Sequence, residues 1–399
     1  MPDFDAYLMV DWSASSTPKI GADSVWYCLL TRHDGHQSIA ALENPSTRCR
    51  AVAELREHLR DLVRRGQTVL VGFDFPYGYP SGFASSLALE ETPHWQAVWR
   101  EIAGKVVDRD DNSNNRFAVA AGFNARISRG GFPFWGCPSS CECATLSCTK
   151  GGPGPVAERR ITDVGNMQPI WKLFGNGSVG SQALVGIPHV TALRNDPLLA
   201  PVSRVWPFET GLRRLPDRRD RDWLVLHAEI YPSLLPIHAA DGEVKDRAQV
   251  RTLAAYFATL DDAGQLSELF AGQESLTPAE RERVEQEEGW TLGVGAKAAP
   301  NPRTQMPRPD LRPSSPPAIA GVSATHPHRA RAGRTTEAGY ENRNGQITIR
   351  PTGLAGTDHG QSIFVLRCGS CGIEYGANGS DIHIRRCPAC QGGRPGLQY

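Results

Sequence analysis

The stretch Ala-Tyr-Leu-Met-Val-Asp, residues 6–11, decides the fold together with its counterpart Thr-Val-Leu-Val-Gly-Phe-Asp, residues 68–74. Each is a short, almost continuously apolar run that ends in an aspartate. Uninterrupted apolar runs of this length are typical of strands that are buried on both faces of a sheet, whereas a strand with one face in water alternates. We therefore predict an α/β fold whose central strands end in Asp11 and Asp74.

The pattern around these two runs predicts further elements in a definite order. Two strands with an Asp34-Gly35 turn between them follow the first run, and a helix with Gly66 at its end precedes the second. A capping box with proline in the first turn opens a late helix at Thr277. The predicted elements after the first run are strands Ser24–Thr31 and Gln37–Leu42, helix 46–65, strand Thr68–Phe73, helix 93–103, strand Trp223–Ile230 and helix Asp246–Phe257. Between about 105 and 221 we expect an irregular insertion.

Four acids occupy related positions. Asp11, Asp74 and Glu229 lie at or near the ends of apolar strands, and Asp246 opens a helix. Open α/β sheets build their sites at the carboxyl ends of strands, where neighbouring carboxylates can share hard cations such as Mg²⁺ or Mn²⁺. The alternative is that these acids cap helices and turns, a role that suits Asp246 in particular.

Three motifs resemble a known family. Val10-Asp-Trp-Ser-Ala14, Gly72-Phe-Asp-Phe-Pro-Tyr-Gly78 and Glu229-Ile-Tyr-Pro232, with the order of elements, are similar to a bacterial family of predicted nucleases with a ribonuclease H-like fold, catalogued as a domain of unknown function. The resemblance covers roughly residues 5–290. It implies that the first, fourth and fifth predicted strands are adjacent and parallel, that Asp11, Asp74 and Glu229 surround one Mg²⁺ or Mn²⁺ site, and that the last helix delivers Asp246.

The chain departs from the ribonuclease H pattern in two places. Glu54 and Glu57 are the only acids in the middle of the first helix, and the acidic pair expected in the last helix is reduced to Asp246 with Gln249 one turn on. These departures keep a second hypothesis open, a catalytically inactive nucleic-acid-binding or adaptor protein of the same fold. A phosphotransferase related to sugar kinases or actin is a weaker alternative, because no second copy of the core is present.

The insertion carries two ambiguous motifs. Gly175-x-Gly177-x-x-Gly180 matches a dinucleotide fingerprint but follows Trp171–Phe174, which we expect to be helical, so we predict a structural or substrate-facing loop. A second hypothesis is a phosphate channel with aromatic stacking, for which an ordinary surface with core tryptophans is the alternative. Its residues are Arg116, Arg126, Lys172, Arg204 and Trp206–Glu209. The spacing of Cys137, Cys141, Cys143 and Cys148 fits no standard zinc knuckle, so we expect free thiols, with metal binding as the alternative.

The C-terminal cysteines give the most specific motif in the chain. Cys368-x-x-Cys371 and Cys387-x-x-Cys390 are two knuckles separated by 15 residues, as in a Cys₄ zinc ribbon. We predict a structural zinc ion, with Ile373–Tyr375 and Ile382–Ile384 as ribbon strands, and redox-active dithiols are the alternative. Nearby arginines could contact nucleic-acid phosphates, although a purely structural or protein-binding ribbon is also compatible with them. They are Arg367, Arg385, Arg386 and Arg394.

Composition divides the chain. The 399 residues have a formal net charge of zero, but residues 291–399 hold 13 Lys or Arg against 6 Asp or Glu. Eight prolines fall between Pro300 and Pro327, a density that excludes helix and central strand. We predict a domain at 1–294, a Pro/Arg-rich linker at 295–336 and a zinc-ribbon module at 337–399. No apolar run is long enough to span a membrane and the acidic start does not resemble a signal peptide, so we expect a cytoplasmic protein.

These observations lead to one leading hypothesis about function. We expect a metal-dependent nuclease or related phosphodiesterase that acts on DNA or RNA. Asp11, Asp74, Glu229 and Asp246 would be its catalytic carboxylates, and the zinc ribbon would help to bind the substrate. Neither the substrate nor the oligomeric state follows from the sequence.

Overall fold

The computed structural model describes residues 2–296, apart from Asp34, Pro153, Asn176, His238 and Asp241, and residues 335–397, apart from 356–361, Ser370, Gly392 and Pro395. The chain divides into two compact units, Met1–Arg308 and Pro309–Tyr399. The predicted linker at 295–336 lies almost entirely outside the described residues.

A six-stranded mixed sheet forms the centre of the first unit. Its strands are β1 (Ala6–Asp11), β2 (Trp26–His33), β3 (His36–Glu43), β4 (Val69–Phe73), β5 (Ser203–Val205) and β6 (Val225–Glu229). They are arranged in the order β3-β2-β1-β4-β6-β5. The pairs β1–β2 and β2–β3 are antiparallel, whereas β1–β4, β4–β6 and β5–β6 are parallel. The carboxyl ends of β1, β4 and β6 therefore lie side by side.

Helices cover the sheet. They are α1 (Arg48–Arg64), α2 (Phe83–Ser86), α3 (His94–Lys105), α4 (Arg116–Ile127), α5 (Val179–Arg194), α6 (Lys245–Asp262), α7 (Leu266–Leu269) and α8 (Pro278–Arg283), which continues as a π-helix over Val284–Glu288. Short 3₁₀ turns occupy Ser139–Cys141, Ala200–Val202, Arg218–Asp220 and Pro232–Leu234. The predicted capping box is present, since the Thr277 hydroxyl accepts from the Glu280 N–H and the Glu280 carboxylate accepts from the Thr277 N–H.

The two faces of the sheet have separate cores. Successive side chains of a strand point to opposite faces, and β1 shows this directly. Leu8 and Val10 belong to a cluster with the apolar stripe of α1, and Tyr7 and Met9 belong to a cluster with α6. Since every residue from Ala6 to Val10 is buried, the uninterrupted apolar run is explained by burial on both sides.

The insertion is more regular than predicted. It contains two long helices, α4 and α5, and the short strand β5, where we expected irregular structure. Helix α5 contains Pro188 and has nine buried residues, so its sequence is apolar all round rather than striped. Trp171–Phe174, by contrast, is not helical. It forms a turn in which Lys172 makes an isolated bridge to Trp135.

The second unit is a three-stranded antiparallel sheet of β7 (Gln346–Ala355), β8 (Ser362–Cys368) and β9 (Glu374–Asn378), followed by a 3₁₀ turn at Gly379–Asp381. The prediction of a ribbon strand near Ile373–Tyr375 thus agrees with β9. The prediction for Ile382–Ile384 is wrong, because these residues form a turn after the 3₁₀ segment. Within the described ranges, no helix combines the length and apolar character needed to cross a bilayer.

Candidate active site

Asp11 and Asp74 lie next to each other at the carboxyl ends of β1 and β4. Val10 of β1 is in register with Phe73 of β4, so the two aspartates that follow occupy equivalent positions on adjacent parallel strands. The Asp74 carboxylate accepts a hydrogen bond of 2.7 Å from the backbone N–H of Trp12, the residue after Asp11. The sheet therefore brings together these two acids of the predicted set.

Asp246 joins them from α6. It lies in the first turn of that helix, but it is not the cap, because the N-cap residue is Val244 and makes no side-chain cap. Its carboxylate instead accepts a 2.6 Å hydrogen bond from the backbone N–H of Asp23 in the β1–β2 loop. The alternative interpretation of Asp246 as a helix cap is thus excluded by the position of the helix start.

The electrostatics of these three acids show mutual repulsion. Burial, followed by the charges of Asp74 and Asp246, raises the pKa of Asp11 well above its usual range. Burial raises the pKa of Asp74 to about 7 against the opposing hydrogen bond from Trp12. Burial is also the main cause that raises the pKa of Asp246. The charge of Lys245 opposes the rise for Asp11 and Asp246, but none of the three partly buried acids has a cationic side chain within ion-pair distance among the described residues. The cluster therefore favours protons or bound cations.

Glu229 has a different environment. Its two carboxylate oxygens accept from the Arg160 guanidinium at 2.7 Å each, and they also accept from the Tyr77 N–H and the Thr291 hydroxyl. Arg160 is in turn paired with Asp163. The carboxylate is thus fully engaged in a buried ion pair that ties the Gly72–Gly78 motif to two other segments. The structure does not bring Glu229 to the other three acids as a free ligand.

The close packing of backbone around Gly78 explains why the Gly72–Gly78 motif ends in glycine. A Cβ at this position would lie 2.3 Å and 2.4 Å from the carbonyl oxygens of Glu287 and Glu288. Those two glutamates also accept hydrogen bonds from the backbone N–H groups of Ser81, Gly82 and Ala84. The sequence analysis did not predict this role for Glu287 and Glu288, whose carboxylates hold the loop that follows Asp74.

The four C-terminal cysteines are the one group of three or more His, Cys, Asp or Glu in the described part of the chain whose ligand atoms all lie within 4.8 Å of one another. The Sγ atoms of Cys368 and Cys390 are 3.6 Å apart, and those of Cys371 and Cys387 are 3.5 Å apart. Four converging thiols are the donor set of a structural zinc site, so the cluster could hold a metal ion such as zinc. The carboxylate cluster does not meet the same distance.

Polar groups surround this thiol cluster. The Gln346 amide lies 3.7 Å from the Cys368 sulfur, and Gln391 accepts from the Cys387 N–H at 2.9 Å. The neighbouring thiol of Cys371, ahead of burial, raises the pKa of Cys390 to about 12. A bound metal ion would lower the pKa of this thiol, because the metal binds the thiolate form.

The arginines predicted around the zinc ribbon separate by burial. Arg367 and Arg386 are exposed, but Arg385 is only 7% exposed and its guanidinium donates to the Arg394 carbonyl. Arg385 is therefore positioned as part of the fold of the module and has little surface left for a phosphate.

The insertion cysteines form a looser group. The sulfurs of Cys137 and Cys148 lie 3.9 Å apart, and burial raises the pKa of Cys137 to about 12. Cys143 is exposed, and a hydrogen bond from the Thr145 backbone lowers its pKa. The ten cysteines, all of them within the described ranges, form no disulfide.

The predicted phosphate channel is only partly assembled. Arg126 is paired with Glu101, Arg204 is paired with Asp222, and Trp206 is buried against Phe270. Glu209 is likewise paired, with Arg194. Arg116 and Lys172 lie elsewhere in the insertion, where they contact the rings of Phe117 and Trp135.

Comparison with protein-family models, with curated proteins and with solved structures finds no match for this chain. The arrangement of its residues is thus the whole basis for an assignment of function.

Proposed function

We propose that this protein is a divalent-metal-dependent phosphodiesterase of ribonuclease H-like fold. It would cut nucleic acid with Asp11, Asp74 and Asp246 as its catalytic carboxylates. One observation carries the proposal. Three carboxylates, two of them at the ends of adjacent parallel strands, converge without a cationic side chain within ion-pair distance among the described residues, and burial raises the pKa of each.

The order of the sheet supports the ribonuclease H-like part of the proposal. Three antiparallel strands, β3-β2-β1, are followed by parallel strands β4 and β6, the arrangement that the family resemblance implies. The short strand β5 is an addition at the edge. The departures noted in the sequence remain, because Glu54 accepts from Arg50 and Tyr27 and is not directed to the cluster.

The chemistry follows from the donor set. Carboxylate oxygens are the ligands that Mg²⁺ and Mn²⁺ prefer, and such ions lower the pKa of bound water and stabilise a leaving oxygen. Asp11 and Asp74 would hold the ion, and Asp246 would complete the set from α6. Among the described residues these acids do not form a group at metal-ligand distance, so their side chains would have to move closer together to share an ion. Glu229 is left out because Arg160 holds it.

The test is a cleavage assay with the full-length protein. With Mn²⁺ we expect cleavage of at least one substrate among single-stranded DNA, duplex DNA, branched DNA and RNA. Asp11→Asn and Asp74→Asn should each abolish cutting while the circular dichroism spectrum is retained. Asp262→Asn is the matched control, because Asp262 lies at the opposite end of α6 from Asp246 and pairs with Arg32. It should cut at the wild-type rate.

The absence of cutting on every substrate would contradict the proposal and favour a second function, a nucleic-acid-binding or adaptor protein without catalysis. Two observations support that alternative. Glu229 is occupied by an ion pair, and only the cysteines lie at metal-ligand distance in the described part of the chain. Titration with Mn²⁺ in a calorimeter separates the two functions, since an adaptor would bind nucleic acid but give no heat from the acidic cluster.

The C-terminal module has a supporting role in this proposal. Zinc held by its four cysteines would stabilise the small sheet, and the exposed Arg367 and Arg386 offer contacts to phosphates. We propose nucleic acid as the partner of this surface as well as the substrate of the acidic site.

A further inference from the structure

Arg116 is a buried cation that no carboxylate pairs with. Only 7% of the residue is exposed, and among the described residues no acid lies within ion-pair distance of its guanidinium. Its hydrogen bonds go to neutral groups, the hydroxyls of Ser181 and Ser16 at 2.9 Å each and the Asn114 side-chain oxygen at 2.8 Å. Ser16 is exposed, so this guanidinium lies just beneath solvent.

A second buried arginine lies close enough to Arg116 to affect its charge. Asp108, an acid that also acts on Arg116 electrostatically, is held by the fully buried Arg48 through two hydrogen bonds of 2.6 Å and also bonds to His189. Burial, and then the charge of Arg48, lowers the pKa of Arg116 to about 10. Asp108 is thus occupied by Arg48, and an anion from solution would balance the charge of Arg116.

The start of α5 adds to this positive field. Ser181 lies in the first turn of this 16-residue helix, and Ser178 at its N-cap makes no side-chain cap. The glycine motif leads into that turn: Gly177 has a φ of 74°, and a Cβ on Gly180 would lie 2.0 Å from the Ile170 carbonyl. The Val179 and Gly180 N–H groups of this turn bond to the carbonyls of Gly177 and Lys172, so the turn contributes its dipole, which favours negative charge, next to the buried arginine.

An exposed aromatic ring lies beside the arginine. Phe174 is 51% exposed, and its ring contacts that of Phe117 at a centroid distance of 6.5 Å. The Arg116 guanidinium lies 4.4 Å above the same Phe117 ring. Lys172 is two residues away, over the ring of Trp135 at 5.9 Å. Arg116, Phe117 and Phe174 thus form a continuous series of contacts from the buried cation to the exposed ring.

The same segment is connected to the acidic cluster. Ser16 belongs to the loop that follows Asp11, and the Gln182 amide donates to the Trp12 carbonyl at 2.5 Å at the start of that loop. Arg48 donates to the carbonyls of Ser13 and Ser15 within it. A ligand held at Arg116 would therefore contact the loop that begins at the proposed catalytic aspartate.

We propose that Arg116, Ser16, the first turn of α5 and Phe174 form a subsite for one nucleotide of a single-stranded segment, with its phosphate at Arg116 and its base stacked on Phe174. The subsite rests on the proposed function for its substrate class. Single-stranded nucleic acid fits better than a duplex, because only an unpaired base can stack on a side chain.

The test measures binding without catalysis. Fluorescence anisotropy of a labelled single-stranded oligonucleotide is followed without added Mg²⁺ or Mn²⁺. Phe174→Ala should weaken binding about tenfold. Arg116→Gln should weaken it by a similar factor and lower the salt slope by about 0.7, the value for one phosphate on a single strand. With an abasic oligonucleotide, the effect of Phe174→Ala should disappear and that of Arg116→Gln should persist.

Two control variants and three outcomes decide the proposal. Ile39→Ala, on the exposed edge of β3, and Arg204→Gln, on β5, should bind like the wild type. If Arg116→Gln does not fold, Phe174→Ala and the abasic strand still test the subsite. Equal binding by wild type and Phe174→Ala, equal affinity for duplex and single strand, or no binding at all would overturn it. If binding depends on Phe174 but the protein cuts no substrate, the subsite is supported and only the nuclease activity is refuted.

Discussion

At the scale of the residue, Asp11 and Glu229 show that the end of a strand does not define a site. Phe73 is in register with both Val10 and Glu229, so Glu229 points to the same face as those two residues. Asp11 and Asp74 come one position later and point to the opposite face, towards α6. Alternation along β1, in which Tyr7 and Met9 face one side and Leu8 and Val10 the other, predicts the face on which Asp11 lies. The face of Glu229 depends on the register between β4 and β6, which the sequence alone does not determine.

This difference predicts opposite effects on stability. Asp74→Asn removes a partly buried carboxyl group whose pKa is about 7, and a difference of one in pKa corresponds to ~1.4 kcal/mol. We expect the metal-free variant to gain about 2–4 kcal/mol at pH 8, and the gain to vanish near pH 4. Glu229→Gln leaves the buried Arg160 with Asp163 as its one remaining carboxylate partner among the described residues, and should destabilise the protein by about 3–5 kcal/mol. Urea unfolding followed by tryptophan fluorescence measures both.

The same experiment with Mn²⁺ links stability to the proposed site. The ion should stabilise the wild type more at pH 8 than at pH 5, because the acids must be deprotonated to bind it. Asp74→Asn should lose this stabilisation, and Asp262→Asn should keep it. A destabilised Asp74→Asn variant would show that Asp74 acts as a structural acid, which would argue against the cluster as a metal site.

His227 gives a prediction about acid sensitivity. It is fully buried on β6, neither ring nitrogen has a hydrogen-bond partner in the described part of the chain, and burial lowers its pKa to about 3. The unfolded chain binds the proton more readily, so this residue's contribution to stability is lost as the pH falls from about 6.5 towards 3. Between pH 6.5 and 5 the loss is about 2 kcal/mol. In His227→Leu the urea midpoint should depend less on pH over this interval than in the wild type. The same pH dependence in both proteins would show that His227 is not the source of the acid sensitivity.

At the scale of the element, the sequence predicted what is periodic or uniformly buried in short runs. The strands β1, β4 and β6 and the helices α1, α3 and α6 lie within a few residues of their predicted bounds. The predicted C-terminal position of Gly66 agrees with its φ of 69° and with its N–H bonding the Val63 carbonyl. These elements carry local signals: apolar stripes, caps and turn residues.

Helix α5 could not be predicted in the same way. Its apolar residues face all directions because α1, α3, α4 and the sheet surround it, so no stripe marks a helical period. Pro188 and two glycines within it argue locally against a helix. Gly186 is required by packing, since a Cβ there would lie 2.3 Å from the Phe75 ring. The signal for this element is tertiary and is absent from a single sequence.

At the scale of the whole molecule, opposite charges are distributed over the two parts of the chain. Residues 1–290 have 30 Lys or Arg against 37 Asp or Glu, and residues 291–399 have 13 against 6. In the proposed function, cations would balance the acidic cluster of the first part, and exposed arginines of the second part would contact phosphates. The two parts also differ in apolar packing, since within the described residues the first has two large apolar clusters and the second has one small cluster of four buried residues.

The small core of the second unit predicts that zinc maintains its fold. Leu366, Tyr375, Ala377 and Ile382 are too few to stabilise such a module alone, so metal binding would supply most of its folding free energy. Chelation at pH 7 should make the four C-terminal thiols react rapidly with Ellman's reagent, and Cys387→Ser should expose the other three. Cys49→Ser, at an exposed site on α1, is the control. All nine tryptophans lie at or before Trp290, so their unfolding transition reports any effect of the chelator on the first unit. Thiols that react equally fast before and after chelation would contradict a structural zinc, because thiolates bound to the metal are protected.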